Sequence, residues 1–585
     1  MNCGATIVVR RSRAKRFVRQ NIELMFIDPY WNRLQFAREY KFAVPVLNVT
    51  TISRAVHPDR FLSDRTLQQF ESTSLSMPRS AASLLKRSYN MRYHHTALLL
   101  LSVFLFGIAN AGSAKDLADS RPNIILVMTD DQGMGDLSCL GNEVLKTPHI
   151  DRFYSMSTRF TEFHVSPTCS PTRSSMMSGR HEFRNGVTHT IKERERMALS
   201  TTTFPQLLQK AGYRTAIFGK WHLGDEDAYQ PYNRGFSEVF IHGAGGIGQS
   251  YEGSCADFPP NLANKYFDIV ALHNDTIKQT KGFCTDIFFQ AALGWIKQQH
   301  EAKQPFFAYI PTNAPHGPMI APEKYKQRFL DLGYDEETAG RYGMIENIDD
   351  NFGLLVQKLD EWNAWDNTLV IFMTDNGQAS SSGKLNGKPV RLHSAGFKTG
   401  KGTPYEGGTH VPAFWRWKGV LGEGVDVPAL AAHIDLFKTF CQLTGAEKPS
   451  DIQKIDGRSL LPLLENLLAP WPDRNLFVHG GRWEKGADPN DSKFKNCAVR
   501  TQRWRFVNNK ELYDISADPY ETTDVSADQP EVVAQLRKAY DAWWSETVPL
   551  MVNEDAPYAP RQPQAVRYEK QLAERGIPDW TPPKL

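Results

Sequence analysis

Short apolar runs alternate with amphipathic segments from about residue 121 onward. Four runs are typical of buried strands followed at once by polar residues: "PNIILVMTDD", "YRTAIFGKW", "PFFAYIPTNAPH" and "NTLVIFMTDNG". Between them, "TFPQLLQKAG", "TDIFFQAALGWIKQQH" and "AHIDLFKTFCQLTGA" have helical spacing, and Gly445 is placed to end the last helix. This alternation predicts βαβ units and an α/β fold with a large, mostly parallel mixed sheet flanked by helices.

The pattern changes after about residue 470. Short strands with turns are indicated in "RNLFVHGG" and "CAVRTQRWRFVNNKELYDIS", and the helical segment "PEVVAQLRKAYDAWWSETV" follows them. We therefore expect a main domain over residues 121–470 and a small antiparallel-sheet subdomain with a terminal helix and tail over residues 471–585. A chain of 585 residues is long enough for two such cores. The Pro-rich end from Tyr558 onward is predicted to be an extended strap or a frayed tail.

The first 111 residues differ from the rest in composition. Residues 1–90 carry "RRSRAKRFVRQ" and no clean hydrophobic period, so we interpret them as a mis-assigned upstream extension or a pro-segment. Met91 then opens "MRYHHTALLLLSVFLFGIANAGSA", in which Ala109-Asn110-Ala111 matches the small-x-small cleavage rule. Residues 91–111 are thus predicted to be a signal peptide, with an uncleaved anchor as the alternative, because the apolar run is short for a membrane span. We expect an exported protein, periplasmic or secreted, with no stable membrane span.

The formal net charge of +3 conceals an uneven distribution. Sixteen basic and 6 acidic residues lie in the stretch up to Ala111, which leaves 52 basic and 59 acidic residues, a net charge of −7, in the remainder. A net-acidic body argues against a nucleic-acid partner, for which a concentrated basic face is expected. Export permits disulfides, and Cys255 with Cys284 is the predicted pair.

Polar residues follow each of the four predicted strands. Because ligand sites of open α/β sheets lie at the carboxyl ends of the strands, one set of side chains is expected at a single edge: Asp130, Asp131, Lys220, His222, His316, Asp375 and Asn376. The side-chain oxygens of Asp130-Asp131 and Asp375-Asn376 would repel one another without a cation. An all-oxygen set favours Ca²⁺ or Mg²⁺ over Zn²⁺. Taken singly, each pair is also compatible with a turn or a helix cap.

A lone cysteine stands in "VSPTCSPTRSSMMSGRH". Pro171 is suited to the first turn of a helix, so Cys169 is predicted to lie just before the helix N-terminus. The partial positive charge at that end stabilises an anion or a polar nucleophile. The alternative is a buried or capping thiol without a chemical role.

The segment Cys-x-Pro-x-Arg, followed by a small-residue helix ending in Gly-Arg, resembles the signature of the type I, formylglycine-dependent sulfatases of the alkaline phosphatase superfamily. Other segments follow that family's order of motifs: "NIILVMTDDQG", "GYRTAIFGKWHLG", "APHGP", "TDNG" and "GKGTPYEGGTHVP". The resemblance covers roughly residues 122–585. His410 departs from it, since the family more often has Arg before Val-Pro.

The resemblance implies an alkaline-phosphatase-like core and an arylsulfatase-type sulfuric-ester hydrolase. It implies that Asp130, Asp131, Asp375 and Asn376 hold a divalent metal, Ca²⁺ or Mg²⁺, with position 169 completing the shell. It also implies that a formylglycine-generating enzyme converts Cys169 to Cα-formylglycine during maturation.

Further roles follow from the same resemblance. Arg173 is expected to hold the hydrated aldehyde, Lys220 and Lys401 to clamp sulfate oxygens, His222 to act as base and His316 as acid, with the two His roles exchangeable. The substrate is expected to be a sulfated small molecule or a sulfated glycan, selected by the loops over residues 243–285 and 318–340. The alternatives are a phosphonate or phosphate ester hydrolase on the same scaffold, or an inactive binder of sulfated glycans.

Overall fold

A ten-stranded mixed sheet carries the fold in the computed structural model, which describes residues 116–251, 257–258 and 265–585. The strands of these residues are, in chain order, β1 (Asn123–Thr129), β2 (Thr158–Phe160), β3 (Phe163–His164), β4 (Arg214–Lys220), β5 (Glu238–His242), β6 (Val270–His273), β7 (Thr276–Gln279), β8 (Phe306–Pro311), β9 (Thr368–Thr374), β10 (Ser382–Leu385), β11 (Lys388–Arg391), β12 (Ala413–Trp417), β13 (Val425–Val427), β14 (Ala431–Ala432), β15 (Leu476–His479), β16 (Cys497–Arg500), β17 (Trp504–Val507) and β18 (Glu511–Asp514). The order across the large sheet is β13-β2-β12-β9-β1-β8-β4-β5-β6-β7.

The five central strands, β9-β1-β8-β4-β5, are parallel to one another. Side chains alternate between the two faces of the sheet, so Ile124 and Leu126 of β1 belong to one core and Ile125 and Val127 to the other. Both faces are buried under helices, which explains why these strands are continuous apolar runs in the sequence.

Helices cover both faces of the sheet. They are α1 (Pro148–Ser155), α2 (Cys169–Ser178), α3 (Phe204–Lys210), α4 (Cys284–Glu301), α5 (Glu323–Asp331), α6 (Glu336–Glu361), α7 (Glu406–Thr409), α8 (Leu436–Thr444), α9 (Leu461–Glu465), α10 (Pro530–Thr547) and α11 (Pro563–Arg575). Leu207 of α3 and Phe440 of α8 pack in one core, while Phe288 of α4 and Ile348 of α6 pack in the other. The sheet is therefore the middle layer of three.

Strands β15 to β18 form a separate four-stranded antiparallel sheet. Trp543 and Trp544 of α10 pack with Val499 and Phe506 of this sheet in a core of their own. The predicted fold class, an α/β core with a large mostly parallel mixed sheet and a small C-terminal antiparallel sheet, is confirmed. Residues Gly112–Leu585 form one compact unit, and the division at residue 470 stays a prediction.

Two local expectations differ from the structure. The end of the chain is not simply a strap or tail, because Pro563 starts the amphipathic helix α11, where its missing N–H costs nothing at the first helical position. Cys169 is the first residue of α2 and not the residue before it, since Thr168 is the N-cap.

Several predictions concern residues that the structure does not describe. The extension over residues 1–90, the signal peptide over residues 91–111 and Cys255 lie outside the described residues, and Cys284 carries a free, buried thiol. Within the described ranges no helix is long and apolar enough to cross a membrane.

Candidate active site

The carboxyl ends of the central strands bring the predicted site residues to one edge of the sheet. Asp130 and Asp131 follow β1, and Asp375 and Asn376 follow its neighbour β9. Lys220 is the last residue of β4, one strand beyond β8. These five residues are buried, with at most 3% of their surface exposed. Parallel pairing of the strands is the reason that residues so distant in sequence meet here.

Turns of unusual backbone geometry follow two of these strands. Asp131 and His222 have positive φ angles of 68° and 59°, which are uncommon for residues with a side chain. After β9, the N–H of Gly377 donates to the carbonyl of Gly408 at 3.0 Å. A Cβ atom on Gly377 would lie 1.9 Å from the carbonyl oxygen of Gly407, so only glycine permits this approach.

Helix α2 presents Cys169 to the same edge. Pro171 lies in its first turn, as predicted, and Cys169 is 2% exposed. The ligand atoms of Asp130, Cys169 and Asp375 lie within 4.8 Å of one another. Burial raises the pKa of the Cys169 thiol to about 11, although Lys220 and Lys401 oppose the shift. An unmodified thiol here would therefore be protonated at neutral pH.

Each carboxylate of the site contacts a cation. Lys220 Nζ is in direct contact with Asp130 Oδ2, and Lys401 Nζ lies 2.5 Å from Asp131 Oδ1. Arg173 Nη2 donates to Asp375 Oδ2 at 2.7 Å, and its Nη1 donates to the carbonyl of Lys220 at 3.0 Å. The edge thus collects three acidic and three basic side chains, most of them buried, where electrostatic interactions are stronger than in bulk water.

The two carboxyls of the Asp130-Asp131 pair differ in their electrostatic environment. Burial, together with the neighbouring Asp375, raises the pKa of Asp130 to about 8. Burial also acts to raise the pKa of Asp131, but Lys401, His316 and Lys220 outweigh it and hold that pKa below its usual value. Asp130 and Asp375 therefore repel each other when both are ionised, and a divalent cation between them would relieve that repulsion.

The oxygen atoms of the site suit a hard divalent cation. Asp130 Oδ1 and Asn376 Oδ1 are buried and accept no hydrogen bond from the described residues. Buried polar atoms normally have a partner, so these two orphaned oxygens indicate a missing ligand. With Asp131 and Asp375 they form the all-oxygen set that Ca²⁺ and Mg²⁺ prefer.

Two histidines lie beside this pocket. Nδ1 of His316 contacts the carbonyl of Gly317 at 2.8 Å, and its Nε2 faces Asp131 Oδ2 at 3.9 Å. His222 Nε2 contacts the carbonyl of Thr190 at 2.7 Å. Burial lowers the pKa of His316 to about 4 and holds the pKa of His222 well below its usual value, with Lys220 adding to both effects. Both rings are thus neutral in the free site, with one proton directed to a backbone carbonyl.

Several contacts that hold the site together were not predicted. The N–H of Lys401 donates to the carbonyl of Gln378 at 3.0 Å, and the next residue, Gly402, donates to Pro167 at 2.8 Å. Asn496 of the small-sheet region donates to the carbonyl of Gly402 at 2.7 Å. The hydroxyl of Tyr266 donates to the carbonyl of His316 at 2.6 Å. No motif spacing signals these residues, because each acts through a contact between distant segments.

All ten predicted site residues lie at this edge or on the segments adjoining it. The α/β fold and the site together fit a hydrolase that acts on esters of a tetrahedral oxyanion, because buried Cys169 faces clustered ammonium, guanidinium and imidazole groups.

Sequence and structure comparisons identify the family. The sequence model of the sulfatase family matches residues 122–446, and that of the C-terminal region of N-sulphoglucosamine sulphohydrolase matches residues 399–543. The chain is 34% identical to human N-acetylgalactosamine-6-sulfatase over 388 residues, which are 63% of this chain and 70% of the relative. It is 30% identical to mouse arylsulfatase G over 408 residues, covering 63% and 75% of the two chains.

A solved structure agrees with this assignment. The crystal structure of Ps i-CgsB in complex with k-i-k-neocarrahexaose matches with a TM-score of 0.63 at 26% identity, over 78% of this chain and 98% of that chain. The chain belongs to the sulfatase family and is a sulfuric-ester hydrolase.

Proposed function

We propose that this sulfatase is of the arylsulfatase type and uses Cα-formylglycine, made from Cys169, as its nucleophile. The observation that carries the proposal is the grouping of Cys169 with Asp130 and Asp375 within 4.8 Å, beside the cations of Lys220 and Arg173. A nucleophile in this position faces both the oxygen-lined cation pocket and the positive groups needed to bind an anionic ester.

The modification resolves a chemical difficulty at position 169. A buried thiol with a pKa of about 11 is a weak nucleophile at neutral pH. Oxidation to an aldehyde followed by hydration places two hydroxyl groups on one carbon. One hydroxyl can carry the sulfate, while the other remains to expel it.

The oxygens of Asp130, Asp131, Asp375 and Asn376 would hold the divalent cation, with residue 169 completing the shell. Such an ion supplies Lewis-acid polarisation of the sulfate oxygens and a lowered pKa for the attacking hydroxyl. Ca²⁺ and Mg²⁺ both suit the donor set.

The cycle then has two chemical steps. In the first, one hydroxyl of hydrated residue 169 loses its proton to solvent and attacks sulfur, the bond from sulfur to the departing alcohol breaks, and His316 delivers a proton to that oxygen. In the second, His222 removes the proton of the remaining hydroxyl. The carbon–oxygen bond to the sulfate then breaks, which releases sulfate and regenerates the aldehyde for hydration by water. The acid role of His316 and the base role of His222 are exchangeable, because both rings lie beside the pocket with one nitrogen at a backbone carbonyl.

Positive side chains of the site stabilise these steps. Lys220 and Lys401 are positioned to bind sulfate oxygens through charge-assisted hydrogen bonds. Arg173, held by Asp375 and the carbonyl of Lys220, orients residue 169. The negative charge of bound sulfate would also raise the pKa of His316 from its low value in the free site, which favours its acid role.

The substrate class follows from the relatives. Human N-acetylgalactosamine-6-sulfatase and the carrahexaose-bound Ps i-CgsB carry names that point to sugars. These names support a sulfated glycan as the substrate, with a sulfated small molecule as the second possibility. The loops over residues 243–285 and 318–340 are the segments expected to select it.

Maturation and location complete the proposal. A formylglycine-generating enzyme is the partner required to modify Cys169, and it would read the Cys-x-Pro-x-Arg segment before folding buries that segment. Export to the periplasm or exterior rests on the predicted signal peptide over residues 91–111.

The test combines two measurements: the mass of the peptide that contains residue 169, and the rates of hydrolysis of a sulfate ester and a phosphate diester. Mass spectrometry should show that one sulfur and two hydrogens have been replaced by one oxygen, and a sulfate ester should be hydrolysed in preference to a phosphate diester. An unmodified thiol in active enzyme would refute the nucleophile. Preference for the phosphate diester would refute the substrate class, and an inert protein with an unmodified thiol at position 169 would support a glycan binder instead.

A further inference from the structure

A second group of metal-ligating side chains lies apart from the Cys169 site. We call Glu162, His164, Glu406 and His410 the His164–His410 cluster. His164 ends β3, Glu406 starts α7 and His410 follows it. Each of the four residues offers one ligand atom, and these atoms all lie within 4.8 Å of one another. The side chains of His164, Glu406 and His410 are at most 6% exposed, and that of Glu162 is 25% exposed.

The ring nitrogens of the two histidines are directed into the cluster. Nε2 of His410 lies 2.7 Å from the carbonyl of Thr161, so this nitrogen donates its proton there and Nδ1 faces Glu406 Oε2 at 2.9 Å. Nε2 of His164 lies 3.7 Å from Glu162 Oε2 and 4.0 Å from Glu406 Oε2. His410 Nδ1 and His164 Nε2 are both buried and form no hydrogen bond in this geometry. For His410, a backbone carbonyl on Nε2 and a lone pair on Nδ1 are typical of a metal-ligating histidine, whereas Nδ1 of His164 faces Arg505.

The surrounding arginines leave one oxygen of Glu406 without a guanidinium partner. Oε1 of Glu406 accepts hydrogen bonds from Arg500 Nε and Arg505 Nε, each at 2.9 Å, and Arg500 Nη2 also donates to Glu162 at 2.6 Å. Oε2 of Glu406 is therefore the oxygen directed at the histidines. Glu521 adds a third acid, because its Oε2 accepts from the N–H of Glu406 at 3.0 Å. Burial raises the pKa of Glu521 to about 7, so this group is not a fixed negative charge. The oxygen that lacks a guanidinium partner is Oε2 of Glu406, which faces the two imidazoles.

The position of Arg505 is compatible with a metal ion. Its Nη2 lies 3.4 Å from Nδ1 of His164, which is long for a hydrogen bond, and it also donates to Thr409 Oγ1 at 3.1 Å. A metal ion on Nε2 would move the proton of His164 to Nδ1, so metal binding requires Arg505 to give up this long contact and keep its bond to Thr409.

We propose that the His164–His410 cluster is a second metal site, for a transition-metal ion of the Zn²⁺ class. Two imidazoles with two carboxylates suit Zn²⁺ and its neighbours, whereas the all-oxygen set around Asp130 suits Ca²⁺ or Mg²⁺. The ion links β3 to α7. Strand β3 leads into the segment with Cys169, and α7 follows the segment with Lys401. Arg500 and Arg505 of the small sheet lie beside the ion. It is a structural ion, because its four protein ligands close the shell.

The test measures bound metal in the full-length protein. The protein is stripped with a chelator, equilibrated with Zn²⁺ together with excess Ca²⁺, desalted and assayed by elemental analysis. One zinc per chain is expected in the wild type and none in His410→Arg, whose guanidinium supplies the positive charge without a lone pair. His300→Gln is the control, because His300 lies at the end of α4 and contacts the carbonyl of Trp362; it should keep its zinc.

Substitution with Co²⁺ provides a readout that needs no variant. The wild-type protein should show the visible absorption of Co²⁺ bound by imidazole and carboxylate, and X-ray absorption should find two imidazole nitrogens in the shell. Zinc retained by His410→Arg at the wild-type level would overturn the proposal. So would a wild type that binds no zinc, in which case a proton on His410 is the charge that Glu406 receives.

Discussion

Glu182 provides a sharp test of the electrostatics behind helix α2. It lies just beyond α2, in the short 3-10 turn Glu182–Asn185, and is 1% exposed. Its Oε2 accepts hydrogen bonds from Ser166 at 2.9 Å and from Ser175 at 2.7 Å, while Oε1 is buried and accepts none from another described residue. Ser166 also lies 3.1 Å from His433 Nε2. This carboxyl has only neutral groups as hydrogen-bond partners.

Burial raises the pKa of Glu182 to about 7 from its ordinary value of 4.5, although hydrogen bonds from its own backbone N–H, Ser175 and Ser166 oppose the shift. The folded state therefore holds a proton that the unfolded chain loses above pH 4.5. Stability falls as pH rises through the window from 4.5 to about 7 and is level above it. At about 1.4 kcal/mol per pH unit, the full loss is about 3 kcal/mol.

The substitution Glu182→Gln removes this titration and keeps the shape of the side chain. Relative to wild type, the variant should gain about 1 kcal/mol in free energy of unfolding at pH 5 and about 3 kcal/mol at pH 8. Burial lowers the pKa of the neighbouring His433 to about 4 and holds that of His181 well below its usual value. Both rings stay neutral through this window, so they do not contribute to the difference.

Urea unfolding at pH 5, 6, 7 and 8 measures the effect, with the exposed Glu447→Gln as the matched control. The control curve should run parallel to wild type at every pH. A Glu182→Gln variant that is less stable than wild type at pH 8, or whose advantage does not grow with pH, would show that Glu182 is ionised in the folded protein and that the reasoning is wrong.

Three further predictions concern the active site. Cys169→Ser should release at most one equivalent of alcohol per enzyme and then stop, because its ester has no second hydroxyl to expel sulfate; a burst assay measures this, and sustained turnover would contradict it. Chelation should abolish activity, and Ca²⁺ or Mg²⁺ should restore it; full activity in protein shown by elemental analysis to be metal-free would argue against the oxygen-lined pocket. Lys401→Met should lower kcat/KM about 10²- to 10³-fold through loss of a preorganised cation on sulfate. A change below threefold in steady-state assays would remove Lys401 from the clamp.

The strands that carry the site were predictable from the sequence for a specific reason. Apolar runs buried on both faces have a strong local signal, and parallel strands must end at the same edge. Asp130 and Asp375 could therefore be placed near each other although 245 positions separate them in the sequence. The helical character of the segment after Cys169 was also local information, carried by Pro171.

The Pro-rich end shows where local signals were misread. The density of proline from Tyr558 onward predicted an extended strap, yet helix α11 forms within it. Proline excludes a helix only from its interior, and Pro563 stands at the start. Gln571 of this helix then exchanges hydrogen bonds with the backbone of Ile277 in β7, at 2.7 and 2.8 Å, which anchors it to the edge of the large sheet.

The sequence by itself determined the order of strands and helices, the residue types at the strand ends and the family to which they belong, because these depend on periodicity and local motifs. Only the tertiary structure decided which charges pair: Lys401 with Asp131, Arg173 with Asp375, and the small-sheet arginines with Glu406. Such pairing depends on distance and burial across segments far apart in the chain. Hydrophobic periodicity encodes neither, since it records only which face of an element is buried.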